Sequence, residues 1–146
     1  MHRKNRIVVV FLLGMFAVLL GSCDQRPLSV RHAADARKVA AKLLNLRYLK
    51  CGDAYLYGGR LFTNVEFTYE PEPLTEDDLS NGVETRGWAR VRLTSADGLS
   101  GVDGWRLQKA KGNWFVEQVT ADRREHYVDV DDVKPEAHHY YGCPQL

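Results

Sequence analysis

The hydrophobic period of this chain changes once, near residue 50, from about 3.6 to 2, and that single change dictates a helix followed by strands. From Ser29 to Lys50, apolar residues Ala33, Ala36, Val39, Ala40, Leu43, Leu46 and Leu49 recur at spacings of three and four. This is the stripe of an amphipathic helix that buries one face. Ser29 stands where an N-cap belongs, and Gly52, just past Cys51, supplies a stop. The remaining faces carry Arg31, Arg37, Lys38, Lys42, Arg47 and Lys50, with only Asp35 in opposition. Such a face suits either plain solvent or an anionic leaflet.

Beyond residue 50 the pattern is that of strands. Residues 53–60 read as a short extended segment ending at Gly58-Gly59, and 61–69 place Val65, Phe67 and Tyr69 on one face. Pro71 and Pro73 then break the ladder, because proline has no amide donor. A loop follows in which Thr75 is positioned to cap one helical turn. Residues 83–94 alternate cleanly, with Trp88, Arg90, Arg92 and Thr94 on one face and Ala89, Val91 and Leu93 on the other. Asp97-Gly98 and Asp103-Gly104 bracket a turn-rich connection. Residues 104–110 pair through Lys111-Gly112-Asn113 with 114–120, contributing Trp105, Leu107, Trp114 and Val116 to a core and Phe115 and Glu117 to the opposite face. A last strand is expected over 126–130. The expectation is an α+β domain over 29–146: one N-terminal amphipathic helix packed on an antiparallel sheet of about four to five strands.

Residues 1–22 stand outside that domain. Arg3, Lys4 and Arg6 precede an uncharged apolar run at 7–20, which is too short for the roughly 20 residues of a spanning helix and has the layout of an export signal. Leu20-Gly21-Ser22-Cys23 resembles the lipobox of bacterial lipoproteins. The resemblance covers residues 1–24 only. It implies cleavage before Cys23, acylation of that cysteine, and a tether over 23–28 that keeps the domain close to membrane lipid. Two or three acyl chains make a lasting anchor where one does not. In some bacterial groups an aspartate after the lipidated cysteine opposes outer-membrane sorting, so Asp24 implies the periplasmic face of the inner membrane. The outer membrane is the alternative, because that rule differs between groups.

The chain has three cysteines, Cys23, Cys51 and Cys143. Lipidation removes Cys23 and leaves one pair for an oxidising compartment, so a Cys51–Cys143 disulfide is expected. Two free thiols or an intermolecular bridge are the alternatives. With the leader gone, 17 basic residues face 19 acidic ones. That balance, like the compartment, gives no reason to expect nucleic acid as a partner.

No GxSxG, HExxH, GxxxxGK[ST] or GxGxxG pattern occurs, and no catalytic residue, metal ligand or cofactor is assigned. Asp129 and Asp131 would point the same way on a strand, but calcium needs six to eight oxygens. His138 and His139 lack further zinc ligands at a readable spacing. Trp88, Arg90 and Arg92 form a candidate ligand face, suited to an anionic or sugar ligand in a cleft between helix and sheet. Tyr127, Tyr140 and Tyr141 form a candidate partner surface, since tyrosine offers contact area with a polar tip. The stretch from Glu66 to Glu84 contains no basic residue and would suit an electropositive partner.

Residues 105–119 resemble the closing hairpin of NTF2-like domains, and the helix-then-sheet order is similar to cystatin-like folds. This chain departs from the first in lacking two of the helices that usually precede the NTF2-like sheet. The expected function is a non-enzymatic, membrane-anchored accessory or protein-binding lipoprotein, as an immunity protein, inhibitor or envelope-assembly component. The alternative is a small envelope enzyme or ligand carrier.

Overall fold

The computed structural model describes residues 25–119, 121–136 and 142–144. A long helix, α1 (Leu28–Arg47), leads into β1 (Leu49–Cys51), β2 (Ala54–Tyr57) and β3 (Arg60–Pro71). A short helix, α2 (Glu76–Ser80), precedes β4 (Val83–Ser95), β5 (Ser100–Ala110), β6 (Asn113–Val119) and β7 (Glu125–Asp129), and a 3-10 turn covers Val130–Asp132. The strands form one antiparallel meander in chain order.

Among the described residues seven strands are present, which corrects the expectation of four to five. The strand missed most completely is β1, which lies in the stretch whose spacing of three and four reads as helix up to Lys50. Tyr48 is already extended, and its amide closes the last helical bond onto the Leu44 carbonyl. Leu49–Cys51 then pair with Ala54–Leu56, so tertiary pairing overrides helical spacing for three residues. The helix also begins earlier than expected. Pro27 is its N-cap and no side chain caps it, so Ser29 lies inside the first turn. Proline costs nothing there, since its missing donor would have had no intrahelical partner. Its carbonyl accepts from the Val30 and Arg31 amides at 3.0 and 3.1 Å.

The core is a single layer between α1 and one sheet face. Ala36, Ala40, Leu43 and Leu44 from the helix meet Phe62, Ala89, Val91, Leu93, Trp105, Leu107 and Val116 from the sheet, with Val130 beside them. Each fully buried aliphatic side chain contributes on the order of 1.5–3 kcal/mol, and the two helical alanines keep the backbone close to the strands. Along β4, buried and outward positions alternate through the run from Gly87 to Leu93. In β3 a bulge at Phe62/Asn64 inserts the extra residue that puts Phe62 on the same face as Val65, Phe67 and Tyr69.

Two glycines set the frame. A Cβ on Gly87 would lie 2.2 Å from the Glu70 carbonyl oxygen and 2.8 Å from Pro71 Cα, so β3 and β4 approach there at a distance no side chain tolerates. Gly112 (φ 81°), with Lys111 (φ 50°), forms the two-residue turn between β5 and β6; both positive φ values are what a primed hairpin turn requires. Asp103-Gly104, expected in a turn, instead lies inside β5, with Asp103 paired to Val91 and Gly104 to Arg90. The turn is confined to 96–99. The expected bridge is present: Cys51 at the end of β1 is disulfide-bonded to Cys143, with Cα atoms 5.6 Å apart.

Candidate functional site

The sheet face turned away from α1 carries the richest polar chemistry. β4 projects Arg86, Trp88, Arg90 and Arg92 from it at alternate positions, and register places Gln108, Arg106, Gly104 and Val102 of β5 directly opposite. At one end, α2 and the loop before it fold over the face. Arg86 grips Asp78 through both Nη atoms at 3.0 and 2.7 Å and donates from Nε and Nη2 to Gln108 Oε1. Arg106 donates to Glu72 at 2.8 Å and to Glu117 at 3.2 Å. A five-residue helix is too short to persist unaided, and Asp78 supplies two supports. Its carboxylate completes a capping box with Thr75 and anchors the turn to Arg86. The Arg86 hydrogen bonds, followed by the Thr75 amide, hold the Asp78 carboxyl down at about 2.

Tyr127 packs beneath these arginines, with the Arg86 guanidinium 5.9 Å from its ring centre. Burial, opposed by the charge of Arg106 and reinforced by that of Glu117, pushes its phenol up. Its hydroxyl and Arg106 Nε are buried without a hydrogen bond of good geometry among the described residues. Tyr127 is therefore half-buried in a polar cluster rather than displayed as a contact surface. The acidic stretch is neutralised in part: Glu70, Glu72 and Asp78 are paired with Arg90, Arg106 and Arg86. Those partners come from β4 and β5, so the acidic run became visible as half of a set of pairs only once the strands were aligned.

The other end of this face is open. Trp88 is 40% exposed and Val102 63% exposed. Arg90 bonds Glu70 at 2.8 Å and lies 6.0 Å from the Trp88 ring. Glu66, Thr68, Arg90, Arg92 and Val102 border a shallow depression of about 220 Å³. Glu66 and Arg92 are register partners. Trp88, Arg90 and Arg92 thus lie together, but on the side opposite α1, which corrects their expected place in a cleft between helix and sheet.

On the helix side a cavity of about 90 Å³ is bordered by Leu43, Leu46, Arg47, Trp105, Val133 and Glu136. That is well below the roughly 300–1,000 Å³ typical of ligand sites. Beside it, Asp103 accepts from Arg47 Nη1 at 2.9 Å, from the Tyr48 hydroxyl at 2.6 Å and from the Gly104 amide at 2.7 Å. Burial opposes ionisation of Asp103, but these hydrogen bonds outweigh it and lower its pKa. Burial and the same carboxylate push the Tyr48 phenol far up. Arg47 also stacks 4.8 Å over Trp105. The group is a fastening between α1 and β5, and the sequence pattern missed it because Asp103-Gly104 carries the composition of a turn.

Cys23, Asp24, Tyr140, Tyr141, His138 and His139 lie outside the described residues. Asp129 and Asp131 do not form a ligand pair: Asp129 accepts from the Asp131 amide at 2.9 Å, capping the 3-10 turn, and Asp131 pairs with Lys42. Among the described residues no group of three His, Cys, Asp or Glu side chains is placed to hold a metal, and no helix is long and apolar enough to cross a membrane. Comparison with protein-family models, with curated proteins and with solved structures gave no match.

Proposed function

We propose that the chain is a lipoprotein of the bacterial periplasm, cleaved before Cys23, anchored at the inner membrane by acyl chains on that residue, and acting by binding another envelope protein. One observation carries the reading. The disulfide consumes Cys51 and Cys143, so the cysteine left over is the one in Leu20-Gly21-Ser22-Cys23. An intramolecular bridge suits an oxidising compartment, and the leader addresses the chain to one. A binding role is supported by the open sheet face. Its charged groups at the α2 end are engaged with one another, while Trp88, Arg92 and Val102 stand on a rigid, hydrogen-bonded strand pair. An immunity protein, an inhibitor and an assembly factor all need such a surface.

The test is the intact mass of protein extracted from membranes, with and without reductant. The expected species begins at Cys23, carries lipid, and gains two hydrogens on reduction. A species retaining Met1, or one that begins beyond Asp24 without lipid, refutes the anchor. For the binding role, Trp88→Ala combined with Arg92→Glu should abolish a stoichiometric association that the wild-type lipoprotein shows. Failure of the wild type to hold any stoichiometric partner under several growth conditions refutes it. The depression beside Arg90 and Arg92 favours one second reading, a small anionic or sugar ligand held on the open face; calorimetric titration with such compounds separates the two.

A further inference from the structure

From the exposed first turn of α1, and resting on the anchor proposed above, we infer that the N-terminal half of this helix lies on an anionic lipid surface. Leu28 and Val30 enter the headgroup region, and Arg31, Arg37 and Lys38 sit over lipid phosphates.

Four features converge on this surface. Only Asp24 to Pro27 separate Cys23 from α1, and four residues reach about 14 Å at full extension, so an acylated Cys23 keeps the helix start near the membrane surface. Leu28 and Val30 are 56% and 43% exposed and belong to the first turn, on the end of the helix nearest the anchor. Arg37 and Lys38 are exposed and Arg31 half-exposed. None of the three makes an ion pair among the described residues, whereas Lys42 and Arg47 further along are engaged by Asp131 and Asp103. Finally, the first turn holds no acidic residue, although the positive end of a helix dipole normally attracts one. Anionic headgroups supply the missing charge. The helix end that carries free cations is the end that carries the tether, and the end whose cations are neutralised points away from it.

Each basic residue near an anionic leaflet contributes about five-fold in partitioning, so reversing three should cost on the order of 100-fold or more. The test reconstitutes the lipidated protein in vesicles rich in phosphatidylglycerol and, separately, in vesicles of phosphatidylcholine. A photo-crosslinking amino acid is placed at Val30, or at Leu99 as control. Leu99 is 48% exposed in the β4–β5 turn, toward which the Asn45–Tyr55 and Arg47–Asp103 bonds direct the far end of α1. Lipid crosslinks at Val30 should exceed those at Leu99, be stronger in phosphatidylglycerol, and fall sharply in the R31E/R37E/K38E variant and in high salt. Labelling at Val30 no greater than at Leu99, or insensitive to charge reversal and salt, overturns the inference. Mass analysis of the N-terminal peptide from the same samples separates the two failures. An unacylated Cys23 refutes the anchor and the docking with it, while an acylated Cys23 with unlabelled Val30 refutes the docking alone.

Discussion

Gly87→Ala should be among the most damaging single-methyl substitutions available in this domain. The added Cβ would meet the Glu70 carbonyl oxygen at 2.2 Å, the Pro71 Cα at 2.8 Å and the Glu70 carbonyl carbon at 2.9 Å. All three atoms are backbone, so no rotamer change relieves the overlap; β3 and β4 must separate by close to 1 Å. That separation strains or breaks the neighbouring Glu72 amide to Arg86 carbonyl bond of 2.7 Å and disturbs the Arg86–Asp78 and Arg106–Glu72 pairs on either side. Overpacking of this kind costs about 1–3 kcal/mol and a lost backbone hydrogen bond about 1 kcal/mol more. The expected loss is therefore about 2–4 kcal/mol, or roughly 8–16 °C in Tm for a domain of this length. Gly101→Ala is the matched control. It lies in β5 without a positive φ, and its Cβ would meet nothing within 4 Å, so it should be neutral or stabilising by up to about 1 kcal/mol. Urea unfolding followed by tryptophan fluorescence and far-UV circular dichroism measures both. If the two substitutions fall within about 0.5 kcal/mol of each other, the close approach at Gly87 is not what shapes this part of the sheet.

Two further predictions concern the bridge and the latch. Replacing Cys51 and Cys143 together by alanine removes a bridge between positions 92 apart and should lower stability by about 2–4.5 kcal/mol; a loss under about 1 kcal/mol in denaturant titration would contradict that account. The Asp78 carboxyl should titrate at about 2 by carbon-detected NMR and rise toward the ordinary aspartate range in Arg86→Ala, held below it by the remaining Thr75 hydrogen bonds. Because its folded pKa is depressed, its contribution to stability is fully present above about pH 4 and is lost as pH falls through about 2, so a latch that opens between pH 5 and 6 would refute the assignment.

What the sequence revealed depended on how far apart the interacting residues lie. β4 was readable because thirteen residues alternate against a one-sided core, so Ala89, Val91 and Leu93 announce their face locally. β1 was not, because three residues carry no period of their own and Leu46 and Leu49 continue the helical spacing. Asp103 was misread because its partners, Arg47 and Tyr48, lie more than fifty positions earlier; its neighbour Gly104 gave a stronger local signal for a turn. The same holds for the acidic loop. Glu72 finds Arg106 at a separation of 34, a pairing created by strand register and invisible to composition. The cysteine pairing was legible because, once the resemblance at Leu20-Gly21-Ser22-Cys23 sets Cys23 aside, one pair is left.

Among the described residues the meander ends in two short edge strands, β1 and β7. β1 presents only three residues on its rim, and Cys143 is bonded there with its Sγ 3.6 Å from the Lys50 carbonyl oxygen. β7 runs five residues before Asp129 turns the chain out of the ladder. Short rims, one of them carrying a disulfide, leave little template for a second copy to extend. Reduction of the Cys51–Cys143 bond releases the tail from the β1 rim, so the reduced protein should pair edge to edge more readily than the oxidised protein at the same concentration, an increase that light scattering would register.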